Sequence, residues 1–118
     1  MNRFLRSLCF AVSGLGQLLK HERNFQLHVL AFICVCAAGI FFGITGLEWL
    51  IILLISAFVM GLEAMNTAIE KLCDLYSTET NAGIKKIKDI SAAAVLICAI
   101  VAVCIGVVVF LPYVKMML

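Results

Sequence analysis

Residues 61–74 read GLEAMNTAIEKLCD and follow an almost unbroken apolar run from Leu50 to Leu62. Within them Glu63, Asn66, Thr67, Glu70 and Asp74 arrive at helical intervals. At about 100° per residue, and with Glu63 at zero, Asn66 falls at about −60°, Thr67 at about +40°, Glu70 at about −20° and Asp74 at about +20°. One face of one helix therefore carries all five. Carboxylates at the end of an apolar helix are costly in lipid, so they must face protein or water and find a cation partner. The stretch predicts a membrane-spanning helix that leaves the bilayer with a polar stripe, and that stripe is a candidate site.

Working outward, the composition agrees with a membrane chain. Of 118 residues, 64% are hydrophobic and 14% charged, with a mean hydropathy of +1.15, which excludes an ordinary soluble domain and fits a single all-α membrane domain over 1–118. The six cysteines, Cys9, Cys34, Cys36, Cys73, Cys98 and Cys104, form no CxxC pair and have no histidine at zinc-ligand spacing. They read as small apolar packing residues.

Upstream, residues 1–20 place Leu5, Leu8, Val12, Leu15 and Leu19 on one helical face and Arg3, Arg6, Ser7, Ser13, Gln17 and Lys20 on the other. This predicts an amphipathic helix lying in the membrane surface. It lacks the long apolar run and small-residue cleavage site of a signal peptide. Gly14-Leu15-Gly16 has neither a preceding strand nor a GKS or GKT ending, so it is no phosphate loop. After the charged junction KHERNFQLH (20–28), residues 25–44 are long enough for a first span. His28, at its edge, reads as an interfacial polar residue.

Gly43, Thr45 and Gly46 predict a short turn, and Glu48 with Trp49 marks the water interface where a second span begins, over 47–75. Glu63 lies about 24 Å along that helix, and Glu70 about 10 Å further. Downstream, YSTETNAG and the lysines after it predict a loop over 76–88. A third span follows over 89–111, its start carrying Ser91 and Ala92 to Ala94, small enough for close packing, and Pro112 ending it.

Positive charge sets the expected orientation. Arg3, Arg6, Lys20 and Arg23 precede the first span, Lys71, Lys85, Lys86 and Lys88 lie between the second and third, and the first turn has none. The N-terminus is then cytoplasmic, with Glu22, Glu63, Glu70, Asp74, Lys88 and Asp89 on that same side.

Glu22 and Glu70, at the mouths of neighbouring helices, have the character of a hard-cation site, because Mg²⁺ is held by one or two carboxylates plus substrate phosphates. Glu63 lies too far along the helix to share one ion comfortably; beside Asn66 it can take a proton from a hydroxyl at headgroup depth. Lys88 can neutralise a phosphate, and Asp89 can hold Lys88 or a nucleotide group. The sum points to phosphoryl transfer from a nucleotide to a lipid hydroxyl. A bland reading stands beside it: Glu63 and Asn66 as interhelical hydrogen bonds that fix a dimer or trimer, Glu70, Lys71, Asp74 and Lys88 as a solvated helix end, and Thr67 and Asp74 as caps or orienting groups.

EAMNTAIEKLCD (63–74) followed by KDISAAAVLI (88–97) resembles the signature of the prokaryotic diacylglycerol kinase and undecaprenol kinase family. ERNF (22–25), EWL (48–50) and FLP (110–112) resemble its undecaprenol kinase branch. The resemblance implies a surface helix and three spans assembled as a homotrimer with sites shared between subunits. It implies an ATP- and Mg²⁺-dependent lipid kinase acting on undecaprenol, with diacylglycerol as the alternative acceptor. Glu63 is the implied catalytic base, Glu22 and Glu70 the Mg²⁺ ligands and ATP contacts, and Lys88 and Asp89 further ATP contacts. Arg3 and the loop residues Glu79, Thr80 and Asn81 match nucleotide-contacting positions, although TETN replaces an aromatic and a histidine found in many relatives. Asn66, Asp74 and Ala92 are implied supporting or substrate-binding positions. A small transporter is a different class, but its site belongs at mid-bilayer, whereas the acids here gather at one interface; a structural membrane subunit gives no reason for Glu22, Glu63 and Glu70 together.

Overall fold

A turn of three residues decides how the second and third helices meet. Gly43 adopts φ +63°, a left-handed conformation that glycine enters without a Cβ clash, and its amide and that of Ile44 bond back to the carbonyls of Ile40 and Gly39. This is a Schellman cap. Thr45 then starts the next helix with a reciprocal capping box, Thr45 Oγ1 accepting from the Glu48 amide and Glu48 Oε1 accepting from the Thr45 amide. The chain reverses within that turn.

The computed structural model describes residues 1–79 and 81–118. In order they form α1 (Arg3–His21), α2 (Arg23–Phe42), α3 (Gly46–Tyr76) and α4 (Ala82–Met117). Asn2 caps α1 through its side chain, 2.8 Å from the Leu5 amide. Glu22 separates α1 from α2 in an extended conformation, and Gln26 Nε2 ties the two by donating to the Leu19 carbonyl at 2.9 Å. α3 packs along α4 and against α2, and α1 touches α2.

α2, α3 and α4 are each long and apolar enough to cross a bilayer. Their outward faces expose large hydrophobics such as Ile40, Leu54 and Val108, as in a chain whose surrounding solvent is lipid. At about 1.5 Å per residue the 31 residues of α3 run about 46 Å, against about 30 Å of hydrocarbon. The chain is a multi-pass membrane protein with a helix that outruns the apolar layer. On α1, the apolar face with Leu5, Leu8, Val12, Leu15 and Leu19 remains exposed, available to the membrane surface.

A hydrophobic cluster lies at the Gly43 end. Ile44, Ile52 and Val109 are buried there beneath Phe42, Trp49, Phe110 and Tyr113, and the Tyr113 hydroxyl donates to Glu48 across α3 and α4. Gly39 lets the Trp49 ring lie against α2: a Cβ there would stand 2.7 Å from the ring.

Two expectations change. The segment 76–88 is not a loop throughout, because Asn81 Oδ1 accepts from the amides of Gly83 (2.8 Å) and Ile84 (3.3 Å) and starts α4 at Ala82. The cap supplies orphan amides with a partner and outweighs the weak helix preference of the glycine. Nor does Pro112 end the last helix, which continues to Met117. Proline removes one helical hydrogen bond, but the turn that follows is anchored by Tyr113 on Glu48.

Candidate active site

Spacings of three and four stack Glu63, Asn66, Thr67 and Glu70 on successive turns of α3, on the face turned to α2 and α4. Glu63, Asn66 and Thr67 are 4%, 5% and 6% exposed, Glu70 is half-buried and Asp74 is open at the helix end. The stripe runs from interior to exterior. Asn66 Nδ2 donates to Glu70 Oε1 at 3.4 Å, while Asn66 Oδ1 is buried with no hydrogen-bond partner among the described residues. Asn24 and His28 of α2 and Ala92, Val95 and Ala99 of α4 complete, with Glu63, Asn66 and Glu70, a cavity of about 370 Å³.

His28, which reads from sequence as an interfacial polar residue, lines this cavity, its Nε2 3.8 Å from Glu63 Oε2. The reason is rotational. Asn24 and His28 are one turn apart on α2 and share a face, and the helix docks with that face toward α3. The polar pair on an otherwise apolar helix was the available signal for both residues. Beyond His28 the cavity meets an apolar groove of about 240 Å³ between the same three helices, lined by residues such as Val35, Ile55, Val59 and Ala102, with His28 and Ala99 in both linings.

A second polar cluster forms where α3 ends and α4 begins. Asp74, Ser77, Glu79, Asn81 and Lys88 surround a cavity of about 210 Å³. Lys88 Nζ donates to Asp74 Oδ1 at 2.6 Å. Lys88 stands ahead of the uncharged run of α4, and the hydrogen bond it donates to Asp74 holds its pKa above the ordinary lysine range. Asp89 does not hold Lys88. It pairs with Lys85 at 2.6 Å, one turn back on the same face, whereas consecutive residues of a helix diverge by about 100°.

The remaining candidates lie apart within this chain. Glu22, in the break between α1 and α2, pairs with Lys71 Nζ at 3.1 Å and lines neither cavity. Arg3 opens α1 and is exposed. Thr80 lies outside the described residues. All six cysteines are free.

For a hard divalent cation the donors are of the right kind. The Glu70 carboxylate, which accepts from Asn66 Nδ2, and the buried Asn66 Oδ1 of the same side chain offer the oxygen chemistry Mg²⁺ takes. Among the described residues no three His, Cys, Asp or Glu side chains cluster to hold a metal unaided, and Mg²⁺ is characteristically completed by phosphates and water.

Comparison with known proteins adds kinship to this geometry. Residues 9–110 match the family described as prokaryotic diacylglycerol kinase. The chain is 37% identical over 112 residues to the undecaprenol kinase of Bacillus subtilis (strain 168), covering 95% of this chain and 91% of that protein. It is 34% identical over 109 residues to a diacylglycerol kinase of Synechocystis sp., 92% of this chain and 62% of that protein. To a diacylglycerol kinase of Helicobacter pylori it is 32% identical over 96 residues, 80% of this chain and 74% of that protein. With a stripe of carboxylates running from interior to exterior at one end of three apolar helices and a family match that spans most of its length, the chain belongs to the prokaryotic diacylglycerol kinase family and is a lipid kinase.

Proposed function

We propose that the chain transfers the γ-phosphate of ATP to the hydroxyl of undecaprenol, at the cavity between α2, α3 and α4. The observation that carries this is the meeting of the polar cavity holding Glu63 and Glu70 with an apolar groove at His28. A lipid alcohol has the same two parts in the same order. Glu63 acts as the general base: it takes the hydroxyl proton as the oxygen forms its bond to the γ-phosphorus and the bond to ADP breaks. Burial keeps competing water away from that carboxylate.

Glu70 and Glu22, with Asn66 beside Glu70, hold Mg²⁺, which when bound neutralises the phosphate charge. Lys88 contacts the phosphates, oriented by Asp74, and Arg3, Asp89 and the Glu79–Asn81 segment contact the nucleotide. Ala92 leaves room opposite the acids for the acceptor's head. Arg3, Glu22 and Asp89 stand away from the Glu63 cavity in a single chain. A site completed by a neighbouring copy accounts for that separation, and the homotrimer is the assembly we adopt.

The lysine and arginine distribution supports a cytoplasmic N-terminus and a site on the cytoplasmic face, with spans over 25–44, 47–75 and 89–111. Undecaprenol is favoured over diacylglycerol by the relative named undecaprenol kinase together with ERNF, EWL and FLP. The relatives named diacylglycerol kinase support the second acceptor. The test is competition: purified protein receives equal mole fractions of undecaprenol and diacylglycerol with labelled ATP. A larger initial rate on undecaprenol is expected. A larger rate on diacylglycerol reverses the acceptor, and labelling of neither ends the kinase proposal for this chain.

A further inference from the structure

His28 has no part in the proton transfer described above, yet it stands at the junction of the two cavities. It belongs to the lining of both, and its side chain is 27% exposed while that of Glu63 is 5% exposed. Its Nε2 is 3.8 Å from Glu63 Oε2, longer than a hydrogen bond. Two polar atoms at that separation can both lie within hydrogen-bond distance of one oxygen set between them and to one side. The same point is where a chain lying in the apolar groove brings its terminal hydroxyl to the polar cavity.

We propose that the space beside His28 Nε2 and Glu63 Oε2 is the seat of the acceptor hydroxyl, and that His28 is a substrate-positioning residue of this kinase. The inference rests on the phosphoryl-transfer reading above. The hydroxyl oxygen accepts from the imidazole N–H and its proton points to the Glu63 carboxylate, leaving an oxygen lone pair for the phosphorus. When the O–P bond forms, the hydroxyl proton passes to Glu63 and the bonding pair of the broken P–O bond leaves with ADP. The imidazole keeps its proton throughout. A neutral donor of the same reach can therefore replace it.

The experiment uses the purified full chain in mixed micelles, with undecaprenol and diacylglycerol each tried as acceptor and lipid and ATP varied separately. Wild type, His28→Leu and His28→Gln are compared. His28→Leu removes the donor and is expected to lower kcat/KM for the lipid alcohol by about 10-fold or more, with KM for ATP within about twofold. His28→Gln places an amide N–H at similar reach and is expected to recover the lipid kcat/KM to within about threefold of wild type. An unchanged lipid kcat/KM in His28→Leu overturns the inference. So does a loss shared equally by the lipid and ATP parameters, or a loss that His28→Gln leaves uncorrected, since either marks a packing role. Those results leave the kinase reading standing. If wild type phosphorylates neither alcohol, that reading falls and the inference falls with it.

Discussion

Lys88, near the start of α4, donates to Asp74, near the end of α3, across 2.6 Å, and so fixes how the two helices separate on the way out of the membrane. Both side chains are substantially solvent-exposed, so the bond contributes more to placement than to stability. Lys88→Met is expected to raise KM for ATP about 10-fold, the effect of losing a charged contact to phosphate. Asp74→Asn keeps the cation and should cost about threefold. Because Asp74 raises the Lys88 pKa, the ammonium is fully charged below the ordinary lysine range and is lost only as pH rises through the raised value. The Lys88-dependent part of ATP binding should therefore stay flat between about pH 6 and 9. Steady-state kinetics across that range check it.

Glu63→Gln removes the base and keeps the shape. We expect kcat to fall at least about 100-fold, with binding of a non-hydrolysable Mg·ATP analogue changed less than about threefold. Turnover near the wild-type rate would falsify the assignment of the base.

Glu70→Gln and Glu22→Gln should give the converse pattern. Each is expected to weaken Mg²⁺-dependent nucleotide binding by about 10-fold or more, in keeping with loss of one carboxylate from a site that has few. Titration calorimetry with Mg²⁺ varied at fixed analogue reads this. Nucleotide affinity that no longer responds to Mg²⁺ is the expected signature.

Gly39→Ala sets two effects against each other. Alanine is favoured over glycine in a helix by about 1 kcal/mol, but its Cβ would stand 2.7 Å from the Trp49 ring, and overpacking typically costs about 1–3 kcal/mol. The clash should win. A lower Tm in detergent is expected, with a larger drop for Gly39→Val.

Orientation is open to cysteine labelling in a background with the six native cysteines replaced. A cysteine at Lys88 should react from the cytoplasmic side and one at Lys115 from the other. Reaction of both from one side contradicts the proposed topology.

Much of this was legible in the chain because lipid leaves few choices. Three apolar stretches had to be helices, and acids spaced by three and four had to share a face. What could not be read is rotation. An apolar helix such as α2 is hydrophobic nearly all round, and only the Asn24 and His28 pair says which side meets α3, a signal too slight to set the rotation by itself. The same gap left Asp89 with two readings, of which the pairing with Lys88 gives way to one with Lys85. Residues 82–88 and Pro112 differ from expectation for another reason: turn formers stand among them, and the Asn81 cap or the Tyr113 hydroxyl overrides that preference.

The interlock of Trp49 on Gly39, with Tyr113 on Glu48, gives the bundle the character of a clothes-peg. Its spring is the aromatic knot at one end, where ring shape and a missing Cβ set the distance between helices, and its jaws are the ends that carry Glu63 and Lys88. The jaws are closed by scattered buried side chains such as Phe25, Cys73 and Val95 around an open cavity, instead of by interlocked rings. In the proposed reaction the lipid head would enter sideways there, remote from the packing that holds the peg together.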